Sequence, residues 1–225
     1  MRSKQPTVFW GNERVNYESL IGLLRDETLE RLAGETGRVL LLQDTTSLDF
    51  SSRQAVDGLG RLERGTGWGL FAHSTLAVSE AGVPLGVVAQ RTWVRPDSET
   101  GKSAKRHETA FADKESYKWV EGLRERGTGQ VWAQGITVCD REAHIYEFLA
   151  ATLDAQLDFV VRAIRGRSFT VEGQELFQTI AFAPVLAQRV IPVKRHPDHA
   201  RPASNSALVV LRCAVPAVPA LTARP

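Results

Sequence analysis

The chain has 225 residues, 43% hydrophobic and 24% charged, the composition of an ordinary globular protein that can build one sizeable core, or a core with an appended subdomain. No apolar run approaches the roughly 20 residues of a membrane-spanning helix, and Met1-Arg2-Ser3-Lys4-Gln5-Pro6 lacks the apolar segment of a signal peptide, so a cytoplasmic protein with no membrane partner is expected. The net charge of +2 conceals an asymmetry: Val160 to Pro225 carries nine Lys or Arg against three acids, a net of +6, which leaves −4 for the remainder. A basic portion beside an acidic one suits a polyanion such as nucleic acid, and on charge alone it suits a solvated basic surface as well. Cys139 and Cys213 lie far apart and form no ligand pattern, as expected of reduced core thiols.

Taken in order, Asn16 is placed to cap a helix from Tyr17 towards Leu32, with Leu20, Ile21, Leu23, Leu24, Leu29 and Leu32 as one buried stripe. A strand is predicted from Val39 to about Phe50. The polar, glycine-rich stretch Gly58 to Gly67 reads as a loop before a strand from Trp68 to Val78. Ala81-Gly82-Val83-Pro84 is a tight turn into a third strand, Leu85 to Val94, so the three should form an antiparallel meander. Arg95 to Ala112 is a polar loop. Ala112 to Arg126 has helical spacing, with Tyr117, Trp119, Val120 and Leu123 inside and Lys114, Glu115 and Lys118 outside. Ile136 to Cys139 is a fourth strand, Glu142 to Leu153 a helix, and Leu157 to Ile164 a fifth strand. Beyond Gly166 the pattern changes to short β-like runs (Ser168–Val171, Arg189–Val193, Ala207–Arg212) separated by prolines.

Two of these strands carry acids at telling places. Val39-Leu40-Leu41-Leu42-Gln43-Asp44 leads one carboxylate into what reads as the middle of a buried strand, where an ionised group costs several kcal/mol unless paired. Ile136-Thr137-Val138-Cys139-Asp140 ends a second apolar strand on another acid. Two acids from two strands can share one divalent cation. Taken singly, Asp44 has the alternative of a plain strand acid bonded to Thr45-Thr46-Ser47, and Asp140 reads equally as the N-cap of the next helix. Three antiparallel strands, helix, strand, helix, strand is the element order of a ribonuclease-H-like mixed sheet, in which the ends of the first and fourth strands are neighbours. The fold expected is therefore mixed α/β: a helical N-terminal stretch over residues 1–37, a ribonuclease-H-like core over 38–166, and a partial β-rich insertion subdomain over 167–225.

The ordered motifs Gln43-Asp44-Thr45-Thr46-Ser47-Leu48, Trp68 with His73-Ser74, Trp93-x-Arg95-Pro96, Lys114-Glu115-Ser116-x-Lys118-Trp119, Val138-Cys139-Asp140-Arg141-Glu142-Ala143 and Phe159-Val160-Val161-Arg162 resemble the bacterial DDE transposases of the insertion-sequence-four family, the Tn-five-like group. The resemblance runs from about Phe9 to the end. It implies a bacterial cut-and-paste enzyme that cleaves and joins transposon-end and target DNA, acts as a dimer on paired ends, and uses two Mg²⁺ or Mn²⁺ ions held by two aspartates and a glutamate. Asp44 and Asp140 match the aspartate positions. Arg162 matches a DNA-contacting arginine, while His73, Lys118 and Trp119 match the pattern as structural or peripheral residues.

The chain departs from the family pattern in two places. The family's Tyr-x-x-Arg-x-x-x-Glu-x-x-x-x-x-x-Lys signature starts at none of Tyr17, Tyr117 or Tyr146, and His144 replaces an acid after Asp140-Arg141-Glu142-Ala143. Against the family pattern, most of the N-terminal DNA-binding region and the C-terminal dimerising helices are missing as well, so the chain reads as an internal fragment, truncated at both ends, and as inactive alone for want of the third acid. A non-catalytic DNA-binding remnant and a stand-alone ribonuclease-H-like nuclease are the alternatives. His196 and His199 around Asp198, and Lys105-Arg106-His107, read as charged loops.

Overall fold

The computed structural model describes residues 9, 11–52, 56–62, 67–95, 109–125, 135–164, 170–171, 174–192 and 206–211, and the chain divides into two compact units, Met1–Ala163 and Ile164–Pro225. In the first unit, helix α1 (Tyr17–Ala33) precedes strands β1 (Val39–Asp49), β2 (Gly60–Arg61), β3 (Trp68–Ser79) and β4 (Pro84–Trp93). Two 3-10 turns, Phe111–Asp113 and Glu115–Tyr117, lead into α2 (Lys118–Glu125). Strand β5 (Gly135–Cys139), a 3-10 turn (Arg141–Ala143), α3 (Tyr146–Asp154) and β6 (Asp158–Val161) complete the unit. The class is mixed α/β.

All six strands form one mixed sheet. Strand β3 has β1 on one side and β4 with the short β2 on the other; β1 is followed by β5 and then β6. Strand β1 runs antiparallel to β3 and parallel to β5, and β5 runs parallel to β6. The antiparallel hairpin turns at Gly82, whose φ of +82° is the left-handed conformation expected of glycine there.

Helix α1 begins with a reciprocal capping box: Asn16 Oδ1 accepts from the Ser19 N–H at 2.8 Å and Ser19 Oγ accepts from the Asn16 N–H at 3.1 Å. Both ends of the helix are tied to β4, through Tyr17 Oη donating to the Gln90 carbonyl and Arg31 Nη1 donating to that of Leu85. The helix sits close enough that a methyl group at Gly86, where φ is +143°, would collide with Thr28 Oγ1. Leu32 joins Val39, Leu41, Ala77, Leu85 and Val88 in the core. Of the expected stripe only Leu32 is fully inside, together with Thr28, which the stripe did not include; Leu20, Ile21 and Leu29 are half-buried, and Leu23 and Leu24 are exposed, because the close approach to β4 admits one side of the helix alone.

Three local readings change. Part of the glycine-rich loop pairs with Trp68 and Gly69 as β2. The helix expected from Ala112 starts in earnest only at Lys118, after two 3-10 turns, and the helix expected from Glu142 splits into a 3-10 turn and α3. Asp140 accounts for the third difference, since its side chain accepts from the Glu142 N–H and caps the short turn.

In the second unit, β7 (Thr170–Val171) pairs antiparallel with β8 (Gln174–Glu175), α4 (Leu176–Phe182) comes next, and β9 (Ala187–Pro192) pairs antiparallel with β10 (Ser206–Leu211). The three expected β-runs overlap β7, β9 and β10; β8 and the short helix are additions. Cys213, His196, His199, the 105–107 patch and most of the polar stretch between Arg95 and Ala112 lie outside the described residues.

Candidate metal centre

The site is built by register. In the β1–β5 ladder the last pair is Gln43 with Cys139, and in the β5–β6 ladder the last pair is Cys139 with Val161. The next residue on each strand is Asp44, Asp140 and Arg162 respectively. The Arg162 N–H donates to the Cys139 carbonyl at 3.2 Å, which keeps the third strand end alongside the second. Neighbouring strands lie about 4.8 Å apart, so successive strand ends bring the two carboxylates and the guanidinium-bearing residue to one rim of the sheet. Gln43 and Cys139 are buried. Extended backbone alternates its side chains, which turns Asp44 and Asp140 to the opposite face.

Asp44 is exposed, which corrects the expectation of a buried strand acid. The reason is that the β5 ladder stops at Gln43, so the strand is flanked from Asp44 onward by β3 alone and its carboxylate keeps water. Asp140 is half-buried. Each acid commits one oxygen to a backbone N–H at 2.7 Å: Asp44 Oδ1 to Thr45 and Asp140 Oδ1 to Glu142. The buried Cys139 thiol lies close to both, and its pKa is pushed up by burial first and then by the charges of Asp140 and Asp44.

Beneath β1 a neutral histidine fixes the residues on either side of Asp44. His73 is buried on β3, with Nδ1 at 2.9 Å from Thr45 Oγ1 and Nε2 at 3.2 Å from Gln43 Oε1. A carboxamide oxygen only accepts, so Nε2 carries the proton and Nδ1 accepts from the threonine hydroxyl. Burial holds the imidazole down to about 4 from its ordinary 6.5, with the charges of Lys118 and Arg91 acting in the same direction. The Trp119 ring stands edge-on to it at 4.6 Å and also packs edge-on against Phe148.

Sequence reasoning places Lys118 on the outside of its helix; it is buried instead. Its ammonium lies 3.7 Å from Glu115 Oε1, 3.5 Å from Glu142 Oε2, and over the rings of Trp93 and Trp119. Glu115 is gripped by Arg95 through two bonds of 2.8 Å. Burial alone would raise the Glu115 carboxyl, but the Arg95 hydrogen bond and charge, with Lys118, outweigh it and leave it below the usual range. The signal that helical spacing misses is the pairing of two acids, Glu115 and Glu142, with one lysine.

Among the described residues no group of three or more His, Cys, Asp and Glu is arranged to hold a metal. Asp44 and Asp140 supply hard oxygen donors at neighbouring strand ends, the kind of donor set Mg²⁺ accepts when water completes its shell. Arg162 is exposed at the same rim. No described helix is long and apolar enough to cross a membrane. No protein-family model matches the sequence.

Proposed function

We propose that the chain carries the DNA-cleaving core of a DDE transposase, with Asp44 and Asp140 holding Mg²⁺ or Mn²⁺ for phosphodiester cleavage and strand transfer. The observation that carries this reading is the register of β1, β5 and β6, which leaves Asp44, Asp140 and Arg162 as successive strand-end residues. The sheet supports it too: a central strand antiparallel to one neighbour and parallel to the other is what the ribonuclease-H-like reading expects. The resemblance of the ordered motifs to the insertion-sequence-four family gives the reading its chemistry.

The ion would supply Lewis-acid polarisation of a phosphoryl oxygen and activation of water. The chain's own residues do the positioning. His73 braces Gln43 and Thr45 so that Asp44 keeps its place, and the Glu142 N–H orients Asp140. Arg162 offers a planar, permanently charged donor to a DNA phosphate. The basic stretch from Val160 onward adds sequence-independent phosphate affinity that falls steeply with salt. With two carboxylates and no third-acid signature in the sequence, Asp44 and Asp140 would hold an ion only loosely, and the polypeptide alone would complete no transposition.

The test requires no turnover. Fe²⁺ loaded in place of Mg²⁺, with ascorbate and peroxide, should cut a bound DNA duplex oxidatively near the site, and the Asp44→Ala/Asp140→Ala double variant should bind the duplex without cutting it. Binding with no localised cutting by the parent protein favours the non-catalytic DNA-binding reading, and absence of DNA binding removes both.

A further inference from the structure

We propose that Lys118 is a positioning residue for this site: through Glu142 it locks the turn that aims the Asp140 carboxylate. The inference rests on the reading of Asp44 and Asp140 as a metal pair, and it concerns how one of them is held.

Four charged side chains form a continuous run from the end of β4 to the strand end that bears Asp140. Arg95 binds both Glu115 oxygens, Glu115 Oε1 lies 3.7 Å from the Lys118 ammonium, and that ammonium lies 3.5 Å from Glu142 Oε2. Glu142 then closes the run through its backbone, donating its N–H to Asp140 Oδ1 at 2.7 Å. Lys118 is the only buried member with partners on both sides among the described residues, its side chain 7% exposed against 60% for Glu142. A buried ammonium demands compensation, and here two carboxylates and the faces of Trp93 and Trp119 supply it.

The geometry explains why the turn is built this way. Asp140 caps a single 3-10 turn, Arg141–Ala143, and so short a turn has few hydrogen bonds to hold its start in place. Anchoring Glu142 by its side chain to a cation fixed on α2 ties that turn to the body of the unit, and the Glu142 N–H is then held against Asp140. The carboxylate keeps one oxygen engaged at a strand end that adjoins the one bearing Asp44. Groups that orient a ligand without touching the ion commonly change metal affinity by about 10- to 100-fold when removed.

The experiment compares the full chain with Lys118→Met, which keeps an unbranched apolar stem between the two tryptophans, Lys118→Arg, and Glu142→Ala at an exposed side chain. Two readouts are taken: Mn²⁺ affinity by electron paramagnetic resonance, and amide hydrogen exchange at Glu142 relative to amides within β1 and β5. The expected result is about a tenfold loss of affinity and about a tenfold acceleration of Glu142 exchange in Lys118→Met and Glu142→Ala, with β1 and β5 unchanged and Lys118→Arg restoring most of both. If Lys118→Met fails to fold, Glu142→Ala carries the comparison. Glu142 exchange within twofold of the parent in the folded variants overturns the proposal, and so does unchanged affinity when exchange accelerates. If the parent binds no Mn²⁺, the metal reading fails on its own, and Glu142 exchange alone decides whether Lys118 holds the turn.

Discussion

Acidification should weaken the first unit through His73. The imidazole is held at about 4 inside the fold against 6.5 in the unfolded chain, so between those values the unfolded chain binds a proton that the native one refuses. Stability is then complete above about pH 7, declines as pH falls through 6.5, and stops declining from this cause below about 4. Each tenfold change in proton affinity is worth about 1.4 kcal/mol, which makes the full loss about 3 kcal/mol, a large share of the 5–15 kcal/mol typical of a domain. The physical cause is the buried position against Trp119, with Lys118 and Arg91 nearby. Urea unfolding of the parent and of His73→Gln at several pH values from 7.5 to 4.5 isolates this contribution, because carboxylate titrations common to both cancel in the difference. The variant should be the less stable at pH 7.5, and the gap should narrow by about 1 kcal/mol or more per pH unit between 6 and 4.5. Parallel curves would refute the reasoning.

Packing yields further expectations. Gly86→Ala places a methyl against Thr28 at a positive φ and should cost about 2 kcal/mol or more, read as a lowered urea midpoint. Leu41→Ala empties a fully buried site between α1 and the sheet, and a loss of about 2–5 kcal/mol is expected in the same assay. In a Cys213→Ser background, Cys139 should resist iodoacetamide at pH 8 until urea unfolds the chain, since burial and two neighbouring carboxylates disfavour its thiolate; rapid labelling of the native protein would contradict the described environment.

Much of the sheet is legible in the sequence because its longer strands are largely apolar runs closed by polar or glycine-rich residues, whereas the two-residue β2 lies within a stretch that reads as a loop. The acids stand out for the same reason: Asp44 interrupts Val39–Leu42, and Asp140 ends Ile136–Cys139. What pattern does not convey is which side of β1 loses its neighbour. The apolar residues before Asp44 suggest burial, yet burial there depends on β5, whose ladder ends one residue earlier. Helical spacing assigns Lys118 to the surface, whereas its burial depends on acids brought from the 115–117 turn and from beyond β5, and on two tryptophans. Periodicity reports a helix's own faces. It does not report that a distant Glu142 will return to one of them. Leu23 and Leu24 show the converse, apolar residues left outside because α1 rests on β4 along a narrow line fixed by Gly86.

The central claim is that Asp44 and Asp140 bind one cation jointly, and titration of Mn²⁺ into the parent, Asp44→Ala, Asp140→Ala and the double variant tests it most directly. Joint binding predicts that either single substitution removes nearly all of the affinity at this site and that the second adds little. Independent, additive losses, or Mn²⁺ binding that neither substitution changes, would contradict it.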